Sequence, residues 1–359
     1  MEKVAVIAIT KNGIKIGLTL KEFFPSWQIY APSKFSDENS KVNWYSETSA
    51  DKIAELFKTN DGLVCLFSLG AVIRLISPHI KDKKIDPAII VIDDKTTFVI
   101  SVLSGHLWGA NKITIEIAEK LDATPVITTA ADVNKTIAVD LLGNELGWKI
   151  DNDTNVTKIS AFMVNEEKIG VFQDIGSAKW WDKNLPNNVK IYSSIDELKN
   201  SQSKGYLIIS DKKIDNQEIL QKSVVYRPPS LVVGVGLHSD TKKETIRDEL
   251  NFCLEKYKLS LKSVAKFVSI KKKEDVEGLI DLAKQMKVPI EYFEKEELTL
   301  IETPNPSKTV QAFEGTASVA EAAALKSSRG KLIVEKQKFP PDLTLAIARI
   351  QNWKEDCYW

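Results

Sequence analysis

The chain has 359 residues, more than one hydrophobic core usually serves, so two or three domains are expected. Hydrophobic residues make up 43% of it and charged residues 27%, which is typical of a globular protein and excludes a disordered one. The 49 basic residues balance the 49 acidic ones. This balance argues against a nucleic-acid or membrane partner that is bound by bulk charge.

The N-terminal part, residues 1–147, alternates short apolar runs with longer amphipathic ones, which predicts a parallel β-sheet with helices on its faces. The predicted strands are Val4–Ile9, Gln28–Tyr30, Gly62–Phe67, Ala88–Ile92, Thr97–Val102 and Pro125–Thr128. Apolar residues at helical spacing predict helices over Ala50–Lys58 and Asn111–Leu121. Parallel sheets bind ligands at the carboxyl ends of their strands. We therefore expect the turns after Phe67, Val102 and Thr128 to share one edge.

Residues 148–229 predict a small α+β middle region. Lys158–Val164 and Lys168–Gln173 flank a polar Asn-Glu-Glu sequence, which favours a β-hairpin. The sequence Arg227-Pro228-Pro229-Ser230 predicts an exposed linker, because two prolines stop both a helix and a strand ladder.

Residues 230–359 predict a second α/β domain. A strand begins at Leu231, and the helices are expected over Lys242–Tyr257, Lys273–Met286 and Ser318–Ser327. Strands follow at Lys331–Glu335 and within Thr344–Arg349.

Several familiar kinds of site are not indicated. Gly234-Val235-Gly236 lacks the third glycine of a dinucleotide fingerprint, and there is no P-loop, zinc-protease helix motif or Gly-x-Ser-x-Gly elbow. The three histidines have no carboxylates clustered near them, so we expect no metal held by the protein. The cysteines, which show no close pair, predict free thiols rather than disulfides: Cys65, Cys253 and Cys357.

The sequence contains no signal peptide before its first predicted strand. It also lacks an apolar run of the roughly 18 residues that a membrane helix needs. We therefore predict a cytoplasmic protein without a membrane partner.

One stretch, the 103–111 segment, is rich in turn-forming polar residues between a predicted strand and helix. Gly105 and Gly109 allow backbone amides to face a ligand, and the helix N-terminus favours an anion. His106, which lies in the turn with Ser104 and Asn111, is the leading acid–base candidate because histidine exchanges protons near neutral pH. A histidine that is satisfied by the backbone is the alternative.

Two other turns carry polar candidates. Thr128, Thr129 and Asp132 follow a predicted strand, where they can orient water or an imidazole or simply cap the next helix. Upstream, Gly70 and Arg74 open a stretch that continues with Lys81, Lys83 and Lys84. Such a basic run is either a solvated face or a place where substrate carboxylates bind.

The C-terminal part offers a further pair. Glu314 and Thr316 flank Gly315 just before an alanine-rich helix. The alanines indicate close helix packing, whereas the polar residues and the helix start can present donors to an anion.

Taken together, these segments resemble the cobalamin biosynthesis protein G family, the cobalt-precorrin-5A hydrolases of the anaerobic corrin pathway. The resemblance covers nearly the whole chain. It is carried by the 69–74 and 83–88 sequences, the 103–111 segment, the 125–132 sequence with Asp140, and the 234–236 and 314–323 sequences with Lys336. The chain departs from the family at Trp108, where a glycine is usual, and at Leu237-His238, where a cysteine and a basic residue are usual.

The resemblance implies hydrolysis of a δ-lactone on a cobalt-bearing macrocycle, with release of acetaldehyde, to give cobalt-precorrin-5B. Cobalt then belongs to the substrate, and no separate cofactor is implied. His106 would act as the base, oriented by Asp132, with Ser104 beside it and backbone amides near Gly105 and Gly109 as donors. Arg74 would hold a peripheral carboxylate.

Two functions remain open from the sequence. The favoured one is the hydrolase, and the alternative is a non-catalytic tetrapyrrole carrier or scaffold in the same pathway. In either case the partner is a small corrinoid molecule, and a homodimer or contact with other pathway enzymes stays open.

Overall fold

The computed structural model describes residues 1–37, 40–82, 85–105, 108–181, 183–272, 274–307, 318–341 and 343–351. These residues form mixed α/β structure with three sheets. The chain divides into two compact units, Met1–Leu141 and Leu142–Trp359, of which the first holds one sheet and the second holds two.

The N-terminal unit is built on a seven-stranded sheet. Its strands in chain order are β1 (Val4–Ala8), β2 (Gln28–Pro32), β3 (Val42–Tyr45), β4 (Gly62–Leu66), β5 (Ala88–Ile92), β6 (Phe98–Leu103) and β7 (Thr124–Val126). The spatial order is β3-β2-β1-β4-β5-β6-β7. The first five strands are parallel, as the buried, uniformly apolar runs of β1, β4 and β5 predict.

The sixth strand reverses this direction. β6 is antiparallel to β5, with Ile89 opposite Leu103 and Ile92 opposite Val99. β7 then runs parallel to β6. The carboxyl ends of β6 and β7 therefore lie at the edge where β4 and β5 begin.

Helices cover both faces of this sheet. They are α1 (Lys11–Phe23), α2 (Ser49–Thr59), α3 (Leu69–Ile76), α4 (Ala110–Leu121) and the short α5 (Ala130–Val133). α1 and α4 bury apolar residues in one core, and α2 and α3 do so in another. This two-sided coverage is the doubly wound arrangement expected for a parallel sheet.

The middle sheet belongs to the second unit. Its strands are β8 (Lys149–Ile150), β9 (Ile169–Gln173), β10 (Val189–Tyr192), β11 (Gly205–Ile209) and β12 (Ser223–Arg227), in the spatial order β10-β9-β11-β12-β8. Only the pairing of β8 with β12 is antiparallel. The helices that accompany it are α6 (Val156–Val164), α7 (Ile195–Lys199) and α8 (Gln217–Leu220).

The hairpin that the sequence favours in this region is wrong. The segment Lys158–Val164 lies in helix α6, and only β9 is a strand. Val156, Ile159 and Met163 are buried at spacings of three and four residues, which is the period of a helix face. So short an apolar run fits both a strand and a helix, and tertiary packing decides which of the two forms.

The C-terminal sheet completes the second unit. Its strands are β13 (Leu231–Leu237), β14 (Val264–Ile270), β15 (Ile290–Phe293), β16 (Lys331–Phe339) and β17 (Leu343–Arg349), in the spatial order β15-β14-β13-β17-β16. β13, β14 and β15 are parallel, and β17 is antiparallel to both of its neighbours. The helices are α9 (Lys243–Lys256), α10 (Glu277–Met286), α11 (Lys295–Thr299) and α12 (Val319–Ser328), which pack in two separate cores.

The double proline does not form an exposed linker. Arg227 is 2% exposed and Ser230 is 0% exposed. The guanidinium of Arg227 donates to the carbonyl oxygens of Ser210 and Lys212 and to Asp151 Oδ2. The junction is therefore part of the packed interior, which corrects the expectation from the prolines.

We expect subtilisin, a protease of broad sequence specificity, to leave the Arg227–Ser230 segment intact in the folded protein. A protease needs an extended, accessible backbone, and this backbone is held in a strand and by buried contacts. Mass spectrometry of a limited digest checks this. A stable fragment that begins at Leu231 would show that the junction opens in solution.

Candidate functional site

Two of the three predicted turns come together, and the third does not. The turns after β6 and β7 lie at the same edge of the sheet, and a hydrogen bond from Asn111 Nδ2 to Thr129 Oγ1 of 3.1 Å joins them. The turn after β4, which carries Gly70, lies at the opposite edge because β6 is antiparallel to β5. The expectation that all three turns share an edge is therefore wrong.

Asn111 is the centre of this arrangement. Its side chain is 7% exposed, and Oδ1 accepts a 2.6 Å hydrogen bond from Ser101 Oγ. Its backbone amide donates to the Gly105 carbonyl at 3.0 Å. One buried amide side chain thus connects strand β6, the 103–111 segment and the turn after β7. The residue suits this role because Asn presents a donor and an acceptor at once.

Gly105 must be a glycine for Asn111 to occupy this position. A Cβ at Gly105 would lie 2.5 Å from Asn111 Oδ1. The preceding Ser104 has a φ of 58°, and its Oγ donates a 2.8 Å hydrogen bond to the Asp86 carbonyl. Ser104 therefore anchors the segment to the start of β5 with a backbone conformation that is costly for a residue with a side chain.

Gly109 ends the turn and begins helix α4. Its φ of 72° lies in the left-handed region, which glycine adopts without strain. The first amides of the helix are already engaged, since Ala110 N donates to the Ser104 carbonyl at 3.4 Å and Asn111 N to that of Gly105. These two amides close the turn on itself.

The other predicted site residues of this edge are His106, Asp132 and Thr128. His106 lies outside the described residues, as does the side chain of Asp132, whose backbone belongs to α5. Thr128 is exposed, and the Thr129 carbonyl accepts a hydrogen bond from Val133 N, which opens α5. Gly105 and Trp108 border the undescribed pair 106–107. Trp108 packs against the core beside α4.

Lys81, one residue of the basic run in the sequence, has its backbone at this edge. The carboxylate of Asp86, which is 3% exposed, accepts a 2.9 Å hydrogen bond from the backbone amide of Lys81. The Asp86 carbonyl accepts the Ser104 hydroxyl, so Asp86 connects Lys81 to the 103–111 segment. The Asp-Pro sequence before β5 was the available signal for this connection. Lys83 and Lys84 lie outside the described residues.

Gly70 and Arg74 lie in the first and last turns of helix α3. Arg74 is exposed, and its Nη1 donates to the Gly70 carbonyl at 3.2 Å within helix α3. α3 and α4 pack in different cores. The carboxyl end of β4 is about 17 Å from its other end, because a five-residue strand has that length. Helix α3 begins at this end of β4 and runs back toward the start of β5, and Arg74 lies in its last turn.

The two described cysteines are buried. Burial raises the pKa of Cys65 to about 12 and that of Cys253 to about 11, so neither thiol is a nucleophile at neutral pH. Glu314 and Thr316 lie outside the described residues.

Within the described ranges, no three His, Cys, Asp or Glu residues are close enough to hold a metal ion. No helix in these ranges is long and apolar enough to cross a membrane.

Comparison with known families accounts for most of the chain. Residues 51–132 match the model of the cobalamin synthesis G N-terminal domain, residues 137–228 that of the cobalamin biosynthesis central region, and residues 231–348 that of the cobalamin synthesis G C-terminus. The three matches follow one another in the order of the chain.

Individual relatives agree with these matches. The chain is 39% identical to a cobalt-precorrin-5A hydrolase of Priestia megaterium, over 96% of this chain and 94% of the relative. It is 30% identical to the cobalt-precorrin-5A hydrolase of Salmonella typhimurium, over 93% of this chain and 94% of that one. A crystal structure of a cobalamin biosynthesis protein G homolog from Sulfolobus solfataricus matches with 25% identity, 98% coverage of both chains and a TM-score of 0.39.

Proposed function

Because the chain belongs to the cobalamin synthesis G family, we infer that it is a cobalt-precorrin-5A hydrolase. The observation that carries this inference is the identity of 39% over 96% of the chain to a relative of that name. The substrate is accordingly a small corrinoid intermediate. We propose that its cobalt enters with the macrocycle and that the protein needs no cofactor of its own.

The reaction that we propose consumes one water molecule. Water adds to the lactone carbonyl and the acyl C–O bond breaks, which leaves a carboxylate arm and a hydroxyl on the carbon to be lost. Loss of that hydroxyl proton then drives cleavage of the C–C bond. The electron pair of this bond passes to the macrocycle, and the carbon leaves with its methyl group as acetaldehyde.

These steps need a base for water, donors for the developing oxyanion, and a group that moves the later proton. We assign the base to His106, oriented by Asp132, and place Ser104 and the backbone near Gly105 and Gly109 around the reacting carbonyl. The contacts of Asn111 with Ser101, Gly105 and Thr129 support this assignment. They fix the residue before His106 and the residue that begins the turn to Asp132.

The experiment that tests the function is a turnover assay with the purified chain. A hydrolase releases one acetaldehyde for each cobalt-precorrin-5A consumed, which coupled reduction of the aldehyde measures. A carrier or scaffold binds the same compound, seen as a shift of its visible absorption, without releasing acetaldehyde. Binding without turnover would therefore replace the hydrolase by the carrier.

We expect Lys81→Ala to raise the KM for the macrocycle more than Arg74→Ala does. Lys81 is tied through Asp86 to the Ser104 edge, whereas the Arg74 guanidinium donates to the Gly70 carbonyl of its own helix. An exposed ammonium that attracts a substrate carboxylate acts on binding more than on chemistry, so kcat should change little. Steady-state acetaldehyde release gives both constants. A larger KM increase for Arg74→Ala would place the substrate carboxylate against helix α3 instead.

A further inference from the structure

A cavity lies within the C-terminal sheet and its helices. It has a volume of about 240 Å³ and opens at the carboxyl ends of two parallel strands, where Gly236 and Leu237 end β13 and Ile270 ends β14. Its other wall includes Pro340, which follows β16, and Leu343, which begins β17. Carboxyl ends of parallel strands are the usual ligand positions in open α/β sheets.

The Gly234-Val235-Gly236 sequence shapes this cavity. A Cβ at Gly234 would lie 1.9 Å from the Ala320 carbonyl oxygen, so only glycine allows helix α12 to lie directly on β13. A Cβ at Gly236 would lie 2.5 Å from Thr344 Oγ1. The two glycines therefore bring the N-terminus of α12 to the cavity. They serve helix–sheet packing here rather than a dinucleotide.

Ser318 points to a ligand at this position. It precedes the ten-residue helix α12, is 1% exposed and lines the cavity, yet its hydroxyl has no hydrogen-bond partner. A buried hydroxyl without a partner is destabilising, and native proteins rarely leave one unless a water or ligand completes it. The helix N-terminus beside it favours a ligand atom with negative charge.

The charged side chains around the cavity agree with an anion. Lys336 and Lys338 line it from β16 and Lys272 from beyond β14, while no acidic side chain is among its described lining residues. The Lys272 ammonium donates to the Leu237 carbonyl at 2.6 Å. Burial lowers the pKa of Lys336, against the opposing effect of Glu321.

Glu321 and Asn305 fix the position of Lys336. Glu321, which is 0% exposed, accepts a 3.0 Å hydrogen bond from the Lys336 backbone amide and a 3.2 Å one from that of Asn305. The Lys336 ammonium donates to the Asn305 carbonyl. Glu321 is thus a positioning residue whose carboxylate is engaged with the backbone and is not among the lining residues.

The size and walls of the cavity restrict the anion further. Leu237, Ile270, Val319 and Leu343 give it apolar sides, which suit methylene groups rather than a bare inorganic ion. Its volume is below the roughly 300–1,000 Å³ of pockets that enclose a whole ligand. The cavity therefore has room for one carboxylate arm and not for a macrocycle.

We propose that this cavity of the C-terminal domain binds an organic carboxylate, one arm of a polycarboxylate tetrapyrrole. That the carboxylate belongs to a tetrapyrrole rests on the proposed function, whereas the anion site rests on Ser318, the lysines and the apolar walls alone. Binding here gives the C-terminal domain a holding role that is distinct from the lactone chemistry.

The test uses the full chain with dicyanocobyrinic acid, which carries carboxylate arms, and with dicyanocobinamide, whose arms are amides. Acetylation by an N-hydroxysuccinimide ester, followed by mass spectrometry, reports each lysine separately. We expect dicyanocobyrinic acid to slow the modification of Lys336 and Lys338 at least fivefold and to leave the exposed Lys331 unchanged. Dicyanocobinamide and inorganic phosphate at the same concentration should protect much less.

Titration calorimetry of variants gives a second measurement. The double variant Lys336→Gln/Lys338→Gln should bind dicyanocobyrinic acid at least tenfold more weakly or lose one binding site. The matched pair Lys331→Gln/Lys284→Gln removes the same charge from exposed positions outside the cavity and should bind normally. Ser318→Ala, which deletes only the hydroxyl, should weaken binding about threefold to tenfold.

Each outcome bears on a single claim. Equal binding by the cavity variant and the wild type, or protection of Lys331 equal to that of Lys336, would overturn the site. Equal protection by phosphate would overturn its assignment to an organic carboxylate. Acetaldehyde release by the wild type, measured in parallel, keeps failure of this site distinct from failure of the proposed function.

Discussion

We expect His106→Ala to abolish most acetaldehyde release while the protein stays folded. A general base typically accelerates its reaction by about 10²–10⁴-fold, so kcat should fall by a similar factor. The residues that precede His106 are secured by other contacts: the Ser104 hydroxyl donates to the Asp86 carbonyl, and the Asn111 amide donates to the Gly105 carbonyl. Losing the imidazole should therefore affect the chemistry more than the fold.

The matched control is His79→Ala, which removes the same side chain from the loop after α3. The His79 ring lies beside that of Phe57, with 6.1 Å between centroids, and has no part in the proposed chemistry, so turnover should remain within about twofold. Circular dichroism of both variants reports folding, and the acetaldehyde assay reports kcat. Normal turnover by a folded His106→Ala protein would remove His106 from the mechanism.

We expect Asp211→Ala to lower the free energy of unfolding by about 3 kcal/mol, because removing one partner of a buried ion pair leaves the other charge without compensation. Asp211 is 0% exposed and follows β11 of the middle sheet. It accepts hydrogen bonds from Arg349 Nε at 2.9 Å, Arg349 Nη2 at 2.8 Å and Ser230 Oγ at 2.7 Å. Arg349 ends β17, so one carboxylate joins the middle and C-terminal sheets.

Urea unfolding followed by far-ultraviolet circular dichroism measures the change. The control is Asp215→Ala, which breaks the Lys258–Asp215 ion pair, whose side chains are 61% and 68% exposed. Exposed pairs contribute roughly 0–1 kcal/mol, so its unfolding curve should move little. If both variants unfold at the same urea concentration, the Asp211 contacts do not hold the two sheets together.

Much of the fold could be predicted because burial marks it in the sequence. The all-apolar runs of β1, β4 and β5 can only be buried strands between helices. Helix α1 escaped prediction because Gly13 and Gly17 interrupt its pattern. Both glycines lie against the sheet: a Cβ at Gly13 would lie 3.1 Å from the Leu66 carbonyl oxygen, and one at Gly17 3.4 Å from Ile29. Such tertiary packing overrides local helix preference.

Only part of the site could be predicted from the sequence, because the direction of strand β6 could not be. The polar turns after β6 and β7 were recognisable from residue types, and the Asn111–Thr129 hydrogen bond brings them together. The reversal of β6 has no comparable signal, since Phe98–Leu103 reads the same for a parallel or an antiparallel strand. The predicted exposure of the double proline is wrong for a similar reason. Proline ends a helix or a strand, but only the three-dimensional packing decides whether that end is buried.

Strand β7 has a consequence for how a bulky substrate reaches the Ser104 edge. It is the last strand of its sheet, has three residues and pairs with β6 alone, and one of the three, Pro125, has no amide hydrogen to donate. Short edge strands open locally at a small fraction of the global unfolding free energy. Breathing of β7 would therefore loosen the turn that carries Thr129 while β4 and β5 stay paired. The paired strands β4 and β5 would then stay in place while the edge strand β7 moves.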